Sequence, residues 1–498
     1  MKKNKNISKY LICISLILIC SLIFIEKTFE NDLFFDIKTG QNILKYGIDF
    51  KDHFSFIPNL VYIYHHWLYD LIVYGIYKLF DYTGIFSLFL IVYSTFGLVV
   101  FYINRKTANT FISLFVSIYT LCTASIGFLS RVQSLTYILF FLEIYLIEKL
   151  YKNGEKKYSI ALIINSILIV NLHIPIWIFY IILYLPYITE TLLYLLSQKK
   201  ESLKNLLNIE KPASSKIILI TFLILLFTGL ICPLKFNAYT FFTKSLFNNS
   251  YLIISEMNKT ILYYFKAEII IILAFIIGMY TKIIKITFRD FLLITGLFIF
   301  SLIAKRNVTY IMIIGPTIFI KNINTYYNFT NKKINNLIKR INLDIVSKFT
   351  AVVLIGLYIF ICYNYLSEKN DYGITDKYPD KMVSYIKENL DYKNIKVYND
   401  FNYGSYMELY DIPVFIDSRA EVYIKEYNGG YDIINDYANS KKYVSYKEIF
   451  DKYNFDYALV YSDSELYQCL INDKDYKLVD EEDDLIKYAL FKNIKINK

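Results

Sequence analysis

Gly84-Ile-Phe-Ser-Leu-Phe-Leu-Ile-Val-Tyr-Ser-Thr-Phe-Gly-Leu-Val-Val-Phe-Tyr-Ile-Asn104 carries no charged side chain. Coiled as a helix at about 1.5 Å per residue, it reaches about 30 Å, the thickness of a bilayer's hydrocarbon core. A soluble domain has no use for such a stretch, and this one is not alone. Apolar runs recur near 107–128, 133–149, 158–172, 174–195, 216–233, 264–281, 290–304, 307–321 and 349–366. The N-terminus adds one more: basic residues up to Lys9 lead into an apolar run at 10–25, and no small-residue cleavage site follows, which predicts an uncleaved anchor. The pattern predicts a polytopic α-helical membrane protein with about 11 spans.

The formal net charge of +10 divides near residue 367. The part before it is strongly basic and the tail is acidic. The membrane-part Lys and Arg sit in short connections between apolar runs, where they set orientation, so nucleic acid is not an expected partner. With Lys2 to Lys9 in the cytoplasm, Arg105, Lys106, Lys149 to Lys157, Lys199 to Lys216, Lys282 to Arg289 and Lys321 to Lys348 fall on the same side. That side then holds roughly twice the basic residues of the other. An odd number of spans leaves the tail outside. Of the six cysteines, five lie in or beside apolar runs and Cys469 stands alone in the tail, a pattern of neither a disulfide framework nor a thiolate metal site. The 50 tyrosines accompany abundant Ile, Lys and Asn, a coding bias rather than a binding surface.

Two domains follow: residues 1–366 in the membrane, with outer loops at 26–83 and 234–263, and a small soluble α/β domain at 367–498 outside it. In the first loop Phe34, Ile37, Ile43 and Leu44 form a helical apolar stripe and Leu68 to Phe80 a second amphipathic stretch. Both are expected to lie along the outer membrane surface. In the tail, helices are expected at 379–390 and 445–453, the latter capped by Ser445. Strands are expected at 395–398, 413–416 and 456–461, with a hairpin pairing 476–479 to 486–491. Gly404, Gly429 and Gly430 lack the spacing of a phosphate loop.

All four histidines and both tryptophans lie between His53 and Trp177, at outer loops or outer span ends in this topology. Trp67 and Trp177 also suit the interfacial belt. Asp32 and Asp36 stand four apart, so on a helix they share a face and offer hard oxygen ligands for magnesium or manganese, or a base. Asp52, His53 and Ser55, then His65 and His66, add donors and acceptors in the same loop. Arg131 and Gln133 stand between apolar runs, where a charge needs a partner or water. Arg131 at an outer end suits a lipid phosphate. Asn171 with His173, and Lys305 with Arg306, occupy comparable ends. Asp417 and Arg419 in the tail read as a structural pair.

The stretch Asp32 to Gly40, then Asp52-His-Phe-Ser55 and His65-His-Trp-Leu68, resembles the opening outer loop of a bacterial family of multispanning membrane proteins that are similar to GT-C fold glycosyltransferases. Arg131-Val-Gln133, Asn171-Leu-His173, Ala304-Lys-Arg-Asn307, Asn402-Tyr-Gly404-Ser-Tyr406 and Pro413 to Arg419 follow in that family's order. The resemblance implies a catalytic or metal-associated acid at Asp32 and a lipid-phosphate contact at Arg131. Four positions depart from it: Asp36 replaces the usual histidine, His66 the usual glutamate, Val132 a proline and Ile174 a glycine.

The reading that follows is a glycosyltransferase of a bacterial plasma membrane, moving a sugar from a polyprenyl-phosphate carrier to an envelope acceptor at the outer face. Asp32, His65 and His66 are its catalytic candidates. Asp36, Asp52, Arg131, Gln133, Asn171, His173 and Arg306 are expected to bind substrate, and Asp32 with Asp36 to hold magnesium or manganese. The alternative is a non-catalytic transporter or flippase component, or a scaffold for envelope polysaccharide. Transport predicts midmembrane ionisable groups and a repeat of the span pattern, whereas the polar groups here crowd at one face.

Overall fold

The computed structural model describes residues 2–125, 130–198, 208–240, 266–323, 343–367, 372–428, 430–482 and 485–495. The outer loop expected at 234–263 lies outside the described residues from 241 onward. In chain order the first helices are α1 (Lys2–Phe24), α2 (Asn31–Tyr46), α3 (Trp67–Asn104), α4 (Thr110–Ala124), α5 (Gln133–Asn153) and α6 (Lys156–Leu172). They continue as α7 (Ile174–Ser197), α8 (Ser215–Phe227), α9 (Lys266–Tyr280), α10 (Phe288–Ile303), α11 (Val308–Lys321) and α12 (Leu343–Ser367). Every apolar run read from the sequence falls on one of these helices. Trp67–Asn104 and Ile174–Ser197 are long and apolar enough to cross a bilayer, while Lys9–Phe24, Thr110–Ala124, Ser215–Leu230, Ile269–Tyr280 and Val352–Tyr363 are apolar but shorter. Within α3, Asp81 leaves helical geometry at φ 55°, ψ −155°. That break separates the segment beginning at Trp67 from the charge-free run, and only the part beyond it is read as spanning.

The chain divides into two compact units, the first taking Met1–Glu26, Phe86–Cys232 and Ile254–Lys369. Here small polar side chains join neighbouring helices: Ser21 and Ser94 hydroxyls lie 2.8 Å apart, and those of Ser166 and Thr228 2.7 Å apart. Such contacts let helix backbones approach where lipid offers no hydrophobic drive. One end of this unit is locked by a buried ion network. Arg289 Nη1 lies 2.8 Å from Glu190, and its Nη2 lies 3.1 Å from Glu148 and 2.8 Å from Glu210. Lys321 then joins Glu148 at 2.7 Å to Asp290 at 2.8 Å.

The second unit takes Lys27–Ile85, Pro233–Ile253 and Asn370–Lys498. The first outer loop therefore folds with the tail. The tail contributes α13 (Ile374–Lys377), α14 (Asp380–Asn389), β1 (Val397–Tyr398), α15 (Gly404–Leu409), α16 (Lys425–Asn428), α17 (Ile433–Ser440) and α18 (Tyr446–Tyr453). After these come β2 (Tyr457–Tyr461), α19 (Glu465–Ile471), β3 (Tyr476–Glu481) and β4 (Tyr488–Asn493). The strands form one sheet in the order β1-β2-β4-β3. β1 runs parallel to β2, and β4 pairs antiparallel with β2 and with β3, placing Leu459 opposite Leu490. The α14 and β3/β4 hairpin expectations match these elements, but two others differ. Residues 413–416 do not join the sheet; Val414 makes an isolated parallel bridge to Ser55. Ser445 makes no side-chain cap to α18, because its hydroxyl bonds the Asn439 carbonyl at 2.6 Å.

The stripe on α2 is real, but the helix does not lie on a membrane surface by that face. Its residues from Leu33 to Gly40 are all buried, with Phe34 packed edge-on to Tyr378 at 4.9 Å and to Tyr406 at 5.1 Å, while Leu44 is exposed. The tail supplies the apolar cover that a membrane was expected to provide. Gly404 opens α15 where any Cβ would sit 2.1 Å from the Ile416 carbonyl, so only glycine allows the segment through Ile416 to pass.

Candidate functional site

The site begins at α2. Asn31 anchors its first turn by donating to the Phe401 carbonyl at 3.0 Å. Asp32 follows, half-buried, and Asp36 lies one turn further on at 2% exposure. His66 stands just ahead of α3, and Asp70 donates its backbone N–H to the His66 carbonyl at 3.0 Å, so the two side chains share one helical face. The two helices meet at Gly40, where an added Cβ would come within 2.2 Å of the Asp70 carbonyl and 2.6 Å of Tyr74 Cβ. Without a side chain at Gly40, Asp36 and Asp70 can approach each other.

The result is a buried cluster of two carboxyls and one imidazole. His66 Nδ1 lies 3.6 Å from Asp36 Oδ1, and a ligand atom from each of Asp36, His66 and Asp70 falls within 4.8 Å of the others. Asp70 is fully buried, and among the described residues no N–H or hydroxyl bonds either of its oxygens, which leaves the Asp36 carboxyl as the group it meets. Burial pushes its carboxyl up to about 8, against a hydrogen bond with Asp36 that pulls the other way. Two carboxyls this close, inside protein, require a shared proton or a cation. Two oxygens and one nitrogen suit manganese or another first-row divalent ion better than magnesium, which favours an all-oxygen shell. The metal pair expected from spacing was Asp32 with Asp36; the grouping instead joins Asp36 to His66 and Asp70.

His65 turns the other way. Its Nδ1 lies 2.8 Å from the Ile63 carbonyl and 3.3 Å from Glu421, while its ring is 4.0 Å from that of His66. His53 stays local, 3.0 Å from Asp49 and stacked on Tyr46 at 4.4 Å.

Asp52 belongs to a different assembly. Its Oδ1 takes Arg419 Nη1 at 2.7 Å, and its Oδ2 accepts the Ser55 N–H at 2.8 Å. Arg419, 1% exposed, also binds Asp417 and reaches Glu408 at 3.3 Å, with its guanidinium 4.3 Å over Phe54 and 4.9 Å over Tyr62. Burial, then neighbouring Asp417, holds Glu408 well above the usual carboxylate range. Burial also opposes charge on Asp417, but the Arg419 charge together with hydrogen bonds to Glu408, Arg419 and Tyr423 keeps Asp417 low. Ser55 completes the clasp, its hydroxyl donating to the Val414 carbonyl at 2.9 Å. Thus Asp52 to Ser55 and Pro413 to Arg419, two motifs far apart in sequence, make one buried joint.

The remaining candidates belong to the first unit. Arg131 and Gln133 stand at the start of α5, and Asn171 donates to the Ile167 and Ile231 carbonyls at 2.8 and 2.9 Å. His173 is buried in the turn from α6 to α7 at φ −156°, and Arg306 is exposed between α10 and α11. Trp177 is buried and donates to Ser166 and Thr228 at 3.0 and 3.1 Å. Asp70 was missed by sequence reasoning, although its i, i+4 spacing from His66 on an amphipathic stretch was a readable signal.

The sequence matches no protein-family profile and no curated protein. Solved structures do match. The oligosaccharyltransferase of Archaeoglobus fulgidus in its apo form aligns with a TM-score of 0.54 at 12% identity, covering 90% of this chain and 69% of that one. The same enzyme tethered to an acceptor peptide aligns at 0.53 and 11% over the same shares. In complex with an inhibitory peptide and a dolichol-phosphate, the enzyme, AglB, aligns at 0.53 and 10%, again with 90% and 69% covered. The chain therefore shares the fold of that oligosaccharyltransferase, mostly helical with a small sheet.

Proposed function

We propose that this chain is a membrane glycosyltransferase that moves a sugar from a polyprenyl-phosphate carrier to an envelope acceptor at the outer face of a bacterial plasma membrane. In this reading about eleven helices span the bilayer, the N-terminus lies in the cytoplasm, and the first loop and the tail lie outside. The observation that carries the proposal is the buried Asp36–His66–Asp70 cluster beside half-exposed Asp32, in a chain with an oligosaccharyltransferase fold.

The transfer makes a bond from an acceptor hydroxyl oxygen to the sugar's anomeric carbon and breaks the bond from that carbon to the carrier phosphate. The hydroxyl proton needs a base, and Asp32, first-turn and partly open, takes it. The departing phosphate needs compensating charge, which Arg131 supplies with its fork of donors. Asp36, His66 and Asp70 would hold a divalent cation, which supplies Lewis-acid charge toward phosphate oxygens when bound. His65 positions His66 through ring contact and is itself fixed by Glu421 and the Ile63 carbonyl.

The test replaces Asp32 by Asn and Arg131 by Ala, separately, in purified folded protein supplied with a panel of undecaprenyl-phosphate sugars and envelope acceptors. Transfer by the unmodified chain, lost in Asp32→Asn and reduced in Arg131→Ala, is expected. Equal transfer by all three removes the site, and no transfer from any donor favours the scaffold reading.

A further inference from the structure

The second unit contains a crevice that the transfer chemistry does not use. It opens at the carboxyl ends of the parallel strands β1 and β2, has a volume of about 310 Å³, and is walled by Asp400, Asn402, Tyr403, Lys441, Tyr461 and Ser464 among others. Crevices outside the carboxyl ends of parallel strands are the usual ligand sites of α/β sheets, and small-molecule pockets start at about 300 Å³.

Its chemistry narrows the occupant. Asp400 is buried and already paired with Lys441 Nζ at 2.6 Å, while Glu465, the other acid of the lining, is exposed to water, so the buried part of the wall holds its charge in a closed pair. An anion would have to displace Asp400 and meet Glu465 as well, and a cation seeking the buried carboxylate would have to displace Lys441. An apolar ligand would strip water from the carboxylate, the ammonium and the Asn402 amide without replacing it. Beneath these groups lies aromatic surface: Tyr461, half-exposed, has its ring 5.4 Å from that of buried Tyr403 and 5.1 Å from that of Tyr488. Acceptors and donors together with the half-exposed ring of Tyr461 fit a neutral ring with hydroxyls at its edge and C–H groups on its face.

The crevice is also tied to the candidate base. Its Asp400–Tyr403 segment receives the Asn31 side chain on the Phe401 carbonyl at 3.0 Å, and Asn31 immediately precedes Asp32. We infer that this crevice binds a neutral sugar ring and thereby makes the acceptor a glycan. The word acceptor rests on the transferase reading; the sugar site does not.

The experiment uses the full chain in detergent with methyl glycosides of glucose, galactose, mannose and N-acetylglucosamine, read by saturation-transfer NMR. At least one glycoside is expected to bind, and Asn402→Ala and Lys441→Ala each to weaken it about tenfold, the loss of one hydrogen bond to a charged or amide group. Both side chains are exposed, and unchanged melting temperatures confirm that the variants fold. No saturation of any glycoside, equal binding by both variants, or binding only of inorganic phosphate or a serine-containing peptide overturns the inference. The same preparations are assayed for transfer alongside Asp32→Asn. Asp32-dependent transfer without glycoside binding sinks the sugar site alone. Glycoside binding lost in both variants, with no transfer from any donor, sinks the transferase reading and leaves the sugar site standing.

Discussion

Replacing Asp70 by Asn tests whether the cluster around it holds a proton at low pH. The native carboxyl is raised to about 8 by burial, from an ordinary value of 3.8. Between those values the folded chain carries a proton at this site that the unfolded chain has released. Stability therefore falls as pH rises through the window, by about 1.4 kcal/mol per unit for one proton, and levels off above the folded value. From pH 5 to pH 8 the loss is about 4 kcal/mol. In a unit of about 200 residues, that lowers the melting temperature by about 10 °C. The amide of Asp70→Asn mimics the neutral acid without titrating, so the pH dependence should flatten. Manganese should do the same in the native chain, because a bound cation replaces the proton and stabilises the folded form. Melting curves of detergent-solubilised protein at pH 5 to 9, with and without manganese, measure all three. Parallel pH profiles for the native and substituted chains would refute the reasoning.

The other predictions concern packing and pairing. Asp36→His with His66→Glu exchanges acid and imidazole across the pair. Each single change leaves like groups facing, so a double-mutant cycle on melting temperature should show favourable coupling of about 1 kcal/mol or more, and additivity would show the pair is not coupled. Gly40→Ala pushes α2 from the start of α3 and should cost about 1–3 kcal/mol, seen as a lower melting temperature. An unaffected temperature would mean the close approach at the Asp70 carbonyl is not a constraint. Arg419→Met leaves Asp52 and Asp417 buried without their cation and should cost about 3–5 kcal/mol, exposing the tail to limited proteolysis. Arg289→Leu should destabilise the helical unit to a similar degree by leaving buried Glu190 without its cation, measured by thermal aggregation.

Much of the architecture was legible because it is periodic. A charge-free run such as 84–104 has one low-energy solution in a bilayer, and the short apolar runs at 456–461 and 486–491 read as strand. The stripe on α2 was equally visible, but what covers it was not, since a stripe shows that a face is buried without naming the neighbour. That neighbour is the tail, hundreds of residues away. The same limit hid the joint of Asp52 with Arg419, each of which alone resembles a surface charge. Asp36 and His66 stand out singly in the sequence, but only their 3.6 Å approach shows that they form a pair. Asp70 was concealed by its apolar neighbours on α3, where one acid among many hydrophobic residues reads as a solvated edge.

The clasp has a consequence for biogenesis. Its two halves, Asp52 and Arg419, are 367 residues apart. At about 5–20 residues per second, a ribosome needs roughly 20–70 s to make what lies between them. For that interval the newly made first loop carries α2 with its apolar flank and Asp52 without the cation that will neutralise it. Another 367 residues must be made before this segment acquires its final neighbours, so it is the place where a chaperone or a protease would find the nascent chain most vulnerable.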